Sequence, residues 1–153
     1  MNDASPLRVE DARLLRGRAR FTDDVHLDRM VHAVFVRSPM AHAEIIGIDA
    51  EPALAAGALA VITAKDLPFI DKKLILRYWN PNIRGGLPSL LATDRVRHVG
   101  EAVALVIAED RYVAEDIAVL VTVDYRPLPP VATTAAAVAA GAERLHEEWS
   151  DNI

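Results

Sequence analysis

The side chains best suited to holding a metal or moving a proton are five histidines: His26, His32, His42, His98 and His146. No two of them stand at the i, i+4 spacing that puts a pair of imidazoles on one helix face. His-Glu-x-x-His is absent, and His146-Glu147-Glu148 lacks a second imidazole. His32 sits in an apolar run and reads as a core or interface histidine rather than a base. Carboxylates pair at Glu10-Asp11, Asp23-Asp24 and Glu147-Glu148. Sequence neighbours point apart on a helix or strand, so these pairs suit turns and caps better than an acid–base couple. None of Ser5, Ser38, Ser89 and Ser150 lies in Gly-x-Ser-x-Gly. Gly85-Gly86 is a turn signal and belongs to no phosphate-binding loop. With no cysteine, thiol catalysis, disulfides, cysteine-based zinc sites and iron–sulfur ligation are excluded. These residues by themselves describe a packed domain without a convincing active site.

The elements that must position them fit into 153 residues, of which 52% are hydrophobic and 25% charged. That is about one domain with a sizeable core. The net charge of −5 argues against phosphate recognition, which rests on clustered positive charge. Aromatic residues are 5%, too few for a base-stacking platform. No apolar run approaches the ~20 residues that span a bilayer, and the first thirty residues lack a basic-then-apolar secretory pattern. We therefore expect a cytoplasmic protein with neither membrane nor nucleic-acid partners.

A short helix is predicted over 9–15, with Leu14 and Leu15 turned inward and Gly17 ending it. Arg8, Arg13, Arg16, Arg18 and Arg20 make this stretch basic, suited either to a solvated face or to docking on an acidic partner. Phe21-Thr22-Asp23-Asp24 follow as a turn. Residues 30–36 are short, apolar and β-branched apart from His32, which predicts a strand buried on both faces. Strands over 43–48 and 59–63 flank a short helix over 51–56 that Gly57 ends. Residues 69–91 read as a long loop with Tyr78, Trp79 and Ile83 as apolar anchors. A strand over 95–99 and a bend at Gly100 precede the strongest buried strand, 102–108. Asp110 is placed to cap a helix over 111–120, with Val113, Ile117, Leu120 and Val121 as its apolar stripe. A half-buried strand over 121–125, an alanine-rich helix over 134–140 and a tail with an exposed Trp149 complete the chain. The succession is two β-β-α-β halves joined by a long loop in one domain over 1–153, an α+β fold.

Several segments carry a resemblance. Gly17-Arg18-Ala19-Arg20-Phe21-Thr22-Asp23-Asp24 is similar to a Gly-x-x-x-(Tyr/Phe)-x-Asp-Asp pattern. Arg37-Ser38-Pro39-Met40-Ala41-His42-Ala43 resembles Arg-Ser-x-x-Ala-His-Ala. Val99-Gly100-Glu101-Ala102-Val103-Ala104 and Val123-Asp124-Tyr125-Arg126-Pro127-Leu128-Pro129 look like Val-Gly-(Glu/Gln)-Pro-Val-Ala and Val-x-Tyr-x-x-Leu-Pro. In this order they resemble the start of the molybdenum-binding large subunit of the xanthine dehydrogenase/aldehyde oxidase/carbon monoxide dehydrogenase family. Ala102 stands where that family often has proline, and Val119 where it often has glutamate.

The resemblance implies an α/β hammerhead domain whose role is structural and assembly-directed within a molybdenum hydroxylase, an oxidoreductase of aldehydes, N-heterocycles or carbon monoxide. It implies a molybdenum–molybdopterin centre, iron–sulfur clusters and flavin in other parts of the assembled enzyme. It brings no catalytic, cofactor or metal residue onto this chain. Its partners would be the remainder of the large subunit and further subunits, with homo-oligomer formation left open. Residues 1–28 would form an amino-terminal docking segment, with Arg16, Arg18, Arg20, Phe21, Asp23, Asp24, Trp79 and Trp149 as interface residues. In an isolated chain Leu14, Leu15, Trp79, Ile83 and Trp149 would stand exposed. The alternative reading is an independent small-molecule-binding or regulatory module of the same fold, with the 78–88 loop over a pocket.

Overall fold

The computed structural model describes residues 8–68, 89–147 and 149–152. The chain divides into two compact units, Met1–Met30 and Val31–Ile153.

The first unit holds one turn of helix, α1 (Asp11–Leu14), and a 3₁₀ turn at Thr22–Asp24. None of its described residues is buried. Leu14 is half-exposed and Leu15 is 87% exposed, so the expectation that both turn inward is corrected. A single helical turn is too short to fold an apolar stripe onto anything of its own.

The second unit contains β1 (His32–Arg37), β2 (Ala43–Asp49), α2 (Glu51–Ala55), β3 (Ala60–Thr63), β4 (Arg95–Val96), β5 (Ala102–Ala108), α3 (Arg111–Ala118), β6 (Thr122–Pro127) and α4 (Thr134–Val138). The order is β-β-α-β twice, with α4 appended, as the sequence predicts. The pairing is less obvious. One sheet runs β1-β5-β3 and the other β4-β2-β6, all antiparallel. Each sheet takes the first and third strands of one half and inserts the second strand of the other half between them. Every described ladder therefore joins the two halves.

This interleaving explains where burial falls. Strand β5 is central, and Val103, Ala104, Val106 and Ala108 are fully buried. Strand β1 is an edge strand, and its residues alternate between half-buried and exposed. Its continuous apolar run predicted burial on both faces, and this is corrected. Val34 and Val36 face the core, where α3 packs, while Phe35 remains 46% exposed.

Helix α3 starts where the sequence places it. The Asp110 carboxylate accepts from the backbone N–H groups of Tyr112 (2.8 Å) and Val113 (3.2 Å), a cap that contributes about 1 kcal/mol. The helix ends at Ala118 and buries Ala114, Ile117 and Ala118, with Val121 just beyond. Val113 and Leu120 lie at the margin of the expected stripe, half-exposed. Small alanines let the helix approach the sheet closely, so the contact line shifts onto them.

Two clusters form the core. Ala53, Val106, Ile117, Ala118 and Val121 pack with Val34, Val36, Ile48 and Val61. Ala43, Ala92, Val96 and Val103 pack with Met40, Ile45, Val123 and Tyr125. Val36 touches both. Gly57 and Gly100 adopt φ of +107° and +89°, where a side chain would be strained, and they end α2 and turn the chain into β5. Strand β4 is only two residues long, against the expected 95–99, because Val99 and Gly100 already belong to that turn. Strand β6 is half-buried as expected and runs two residues further.

Candidate docking surfaces

The expected interface residues divide between the units. Arg16, Arg18, Arg20 and Phe21 lie in the first unit, all exposed, with Phe21 at 64%. Asp23 and Asp24 form the 3₁₀ turn beside them, and Asp24 Oδ2 accepts from the Phe21 N–H at 2.8 Å. The acidic pair therefore shapes the local turn, as adjacent carboxylates commonly do. Trp79 and the 78–88 loop lie outside the described residues. Trp149 is half-buried, which corrects its expected exposure. Its ring stacks on His146 at 4.0 Å between centroids.

The segment around Trp149 is strapped to the second sheet by a charge network that the sequence did not reveal. Arg95 is 8% exposed, and its Nη2 donates to Glu147 Oε1 at 2.6 Å. Glu44 Oε1 lies 3.9 Å from the same guanidinium, and Glu44 also binds Arg126 across the β2–β6 ladder. Arg97 Nε donates to the Leu145 carbonyl at 2.8 Å. Asn152 accepts from the Leu145 N–H and donates to the Glu143 carbonyl. A buried guanidinium is tolerated only when paired; here Glu147, 52 residues away in sequence, completes the set.

His42 is 1% exposed. Its Nδ1 lies 2.9 Å from the Pro129 carbonyl, so that nitrogen carries the proton and donates, which ties the start of β2 to the chain beyond β6. His42 Nε2 and the Tyr125 hydroxyl are buried without a hydrogen-bond partner. Burial raises the Tyr125 pKa, the nearby Ser38 hydroxyl opposes this, and the Glu101 charge adds to it. The Arg-Ser-x-x-Ala-His-Ala segment thus acts through packing: Ser38 and His42 are both buried. Ser38 Oγ accepts from the Met40 N–H at 3.0 Å, which closes the turn into β2.

Asp66 carries a pH-sensitive contact. The Thr63 N–H and hydroxyl each donate to its Oδ2 at 2.8 Å. The backbone bond foremost, then the hydroxyl bond, lowers its pKa below the ordinary 3.8. A carboxyl depressed in the folded state stabilises fully above its unfolded pKa and loses that contribution as pH falls through the folded one. Asp66→Asn is expected to flatten part of the acid limb of stability, measured by urea unfolding between about pH 5 and about pH 2. An unchanged slope would show that the turn is not formed in solution.

The interleaved pair of three-stranded antiparallel sheets with short helices is that of an α/β hammerhead. The model of the family described as "Aldehyde oxidase and xanthine dehydrogenase, a/b hammerhead domain" matches residues 16–129, and the chain belongs to this family. It is 42% identical over 147 residues to the carbon monoxide dehydrogenase large chain of Afipia carboxidovorans, covering 95% of this chain and 18% of that one. It is 38% identical over 143 residues to the xanthine dehydrogenase molybdenum-binding subunit of Escherichia coli O157:H7, covering 92% and 19%. Among solved structures, quinoline 2-oxidoreductase from Pseudomonas putida 86 superposes with a TM-score of 0.86 at 37% identity, covering 96% of this chain and 19% of that one. The chain thus spans about a fifth of the length of these relatives.

The relatives' names include molybdenum-binding proteins, so the described residues can be tested for such a group. No cluster of three or more His, Cys, Asp or Glu converges among them. Among the described residues no metal-ligating cluster is present, and no chemical step is assigned to them.

Proposed function

We propose that this chain is the structural and assembly domain of a molybdenum hydroxylase, a cytoplasmic oxidoreductase acting on aldehydes, N-heterocycles or carbon monoxide. In this reading the molybdenum–molybdopterin centre is held by the remainder of the large subunit. Iron–sulfur and flavin centres are held by other domains or subunits. The hammerhead keeps these neighbours in register. The observation that carries the reading is the match over more than nine-tenths of this chain to about a fifth of each relative.

The test is co-expression of the tagged chain with a carbon monoxide dehydrogenase large chain from Afipia carboxidovorans that lacks its own matching segment. Molybdenum is expected to co-purify with the complex and not with the chain alone. Tightly held molybdenum, or steady oxidation of carbon monoxide or xanthine, in the isolated chain would overturn the assignment.

A further inference from the structure

The β1-β5-β3 sheet has two faces of unlike fate. On one, Ala104, Val106 and Ala108 are fully buried beneath α2, α3 and the second sheet. The other is defined by register. Ala33 stands opposite Ile107, which stands opposite Ala60, and Phe35 stands opposite Leu105, which stands opposite Ile62. Directly opposed residues point to the same side of a sheet. These six side chains therefore form two cross-strand rows, all apolar. None is fully buried: Phe35 is 46% exposed and Ala33 is exposed, while Ala60, Ile62, Leu105 and Ile107 are half-buried. At its edge the Arg37 guanidinium lies 5.4 Å from the Phe35 ring centroid and donates to the Gly100 carbonyl at 2.8 Å. An antiparallel sheet that faced water on this side would alternate to polar residues here. This one does not, so the face is built for contact.

We propose that this face docks an apolar surface on the remainder of a molybdenum hydroxylase large chain, an inference that rests on the assembly role above. Two observations choose that occupant over a second copy. Three strands set ~4.8 Å apart give a patch too small for two copies to bury the ~1,200 Å² of a specific interface through it alone. The relatives, by contrast, carry about four-fifths of their length beyond the matching segment. A partner of that size can cover this face together with other exposed apolar side chains of the same unit, such as Leu59 and Val99, which are 53% and 63% exposed.

The experiment is carbene footprinting of the 153-residue chain alone and in the co-expressed complex with the truncated Afipia large chain. Labelling of Phe35 and Ile62 is expected to fall at least five-fold in the complex, while labelling of Tyr112 on α3 and Val119 just beyond it serves as the comparison. Phe35→Glu is expected to leave the melting of the isolated chain unchanged and to lower recovery of the complex at least ten-fold. A complex in which Phe35 and Ile62 label as in the free chain overturns the docking face and leaves the assembly role standing. Failure of the unaltered chain to form any complex overturns both. Protection that appears in the chain alone as its concentration rises, with dimers in sedimentation, overturns the chosen occupant in favour of a second copy.

Discussion

Expressed as two fragments, residues 1–68 and 89–153, the protein is expected to lose all cooperative structure in each, and to recover it only when the two are mixed one to one. The reason is topological. The pairs β1–β5, β3–β5, β2–β4 and β2–β6 each take one strand from either fragment. Residues 1–68 would hold β1, β2 and β3 with no described partner among themselves. A lone strand has no backbone partners and exposes its apolar side chains, and even an isolated hairpin is marginal in water. The core divides the same way: Ala53 belongs to the first fragment, while Val106, Ile117, Ala118 and Val121, which pack with it, belong to the second. Circular dichroism and urea titration of each fragment and of the mixture provide the check. A cooperative transition in either fragment alone would contradict the interleaved pairing.

A second large effect is expected at Val106. It is fully buried at the middle of β5, opposed by Val34 on one side and Val61 on the other, within the cluster that includes Ile117. Val106→Asp forfeits about 2 kcal/mol of side-chain burial and places a carboxylate where nothing can pair with it, at a cost of several kcal/mol more. Against a total stability of roughly 5–15 kcal/mol, the variant is expected to show no cooperative thermal transition. Val106→Ala is expected to fold with stability lowered by about 1–3 kcal/mol. A Val106→Asp protein melting within a few degrees of the parent would mean that β5 is not the central strand.

Much of the local structure was legible because local chemistry sets it. Asp110 announces a helix start by offering an oxygen to N–H groups that have no partner in the first turn. Gly57 and Gly100 mark the positions that need positive φ. The run over 102–108 reads as the strongest buried strand, and it is the central strand of its sheet, with Val103, Ala104, Val106 and Ala108 fully buried. The run over 30–36 carries the same signal, yet it became an edge strand. Periodicity reports which side chains are apolar and not which neighbour lies beside a strand; that depends on partners some seventy residues away. The same limit hid the open face. Ala33, Phe35, Ala60, Ile62, Leu105 and Ile107 look like core residues in sequence, and only their register shows them lying side by side on an incompletely buried face. The Arg95–Glu147 strap was equally invisible, because nothing local marks a pair separated by fifty-two positions. At the amino terminus, Arg16, Arg18 and Arg20 were read as surface residues and are exposed. Charge at high density is costly to bury, so that inference needs no knowledge of the fold.

The interleaved sheets also impose a timetable on synthesis. β1 is complete at Arg37, and its partner β5 ends only at Ala108. At ribosomal speeds of about 5–20 residues per second, the first strand emerges roughly four to fourteen seconds before it can be paired. During that interval the nascent polypeptide presents apolar β-segments to solvent. Any chaperone shielding nascent apolar segments would have its longest task on this stretch, and slowing translation downstream of Thr63 would lengthen the exposure rather than relieve it.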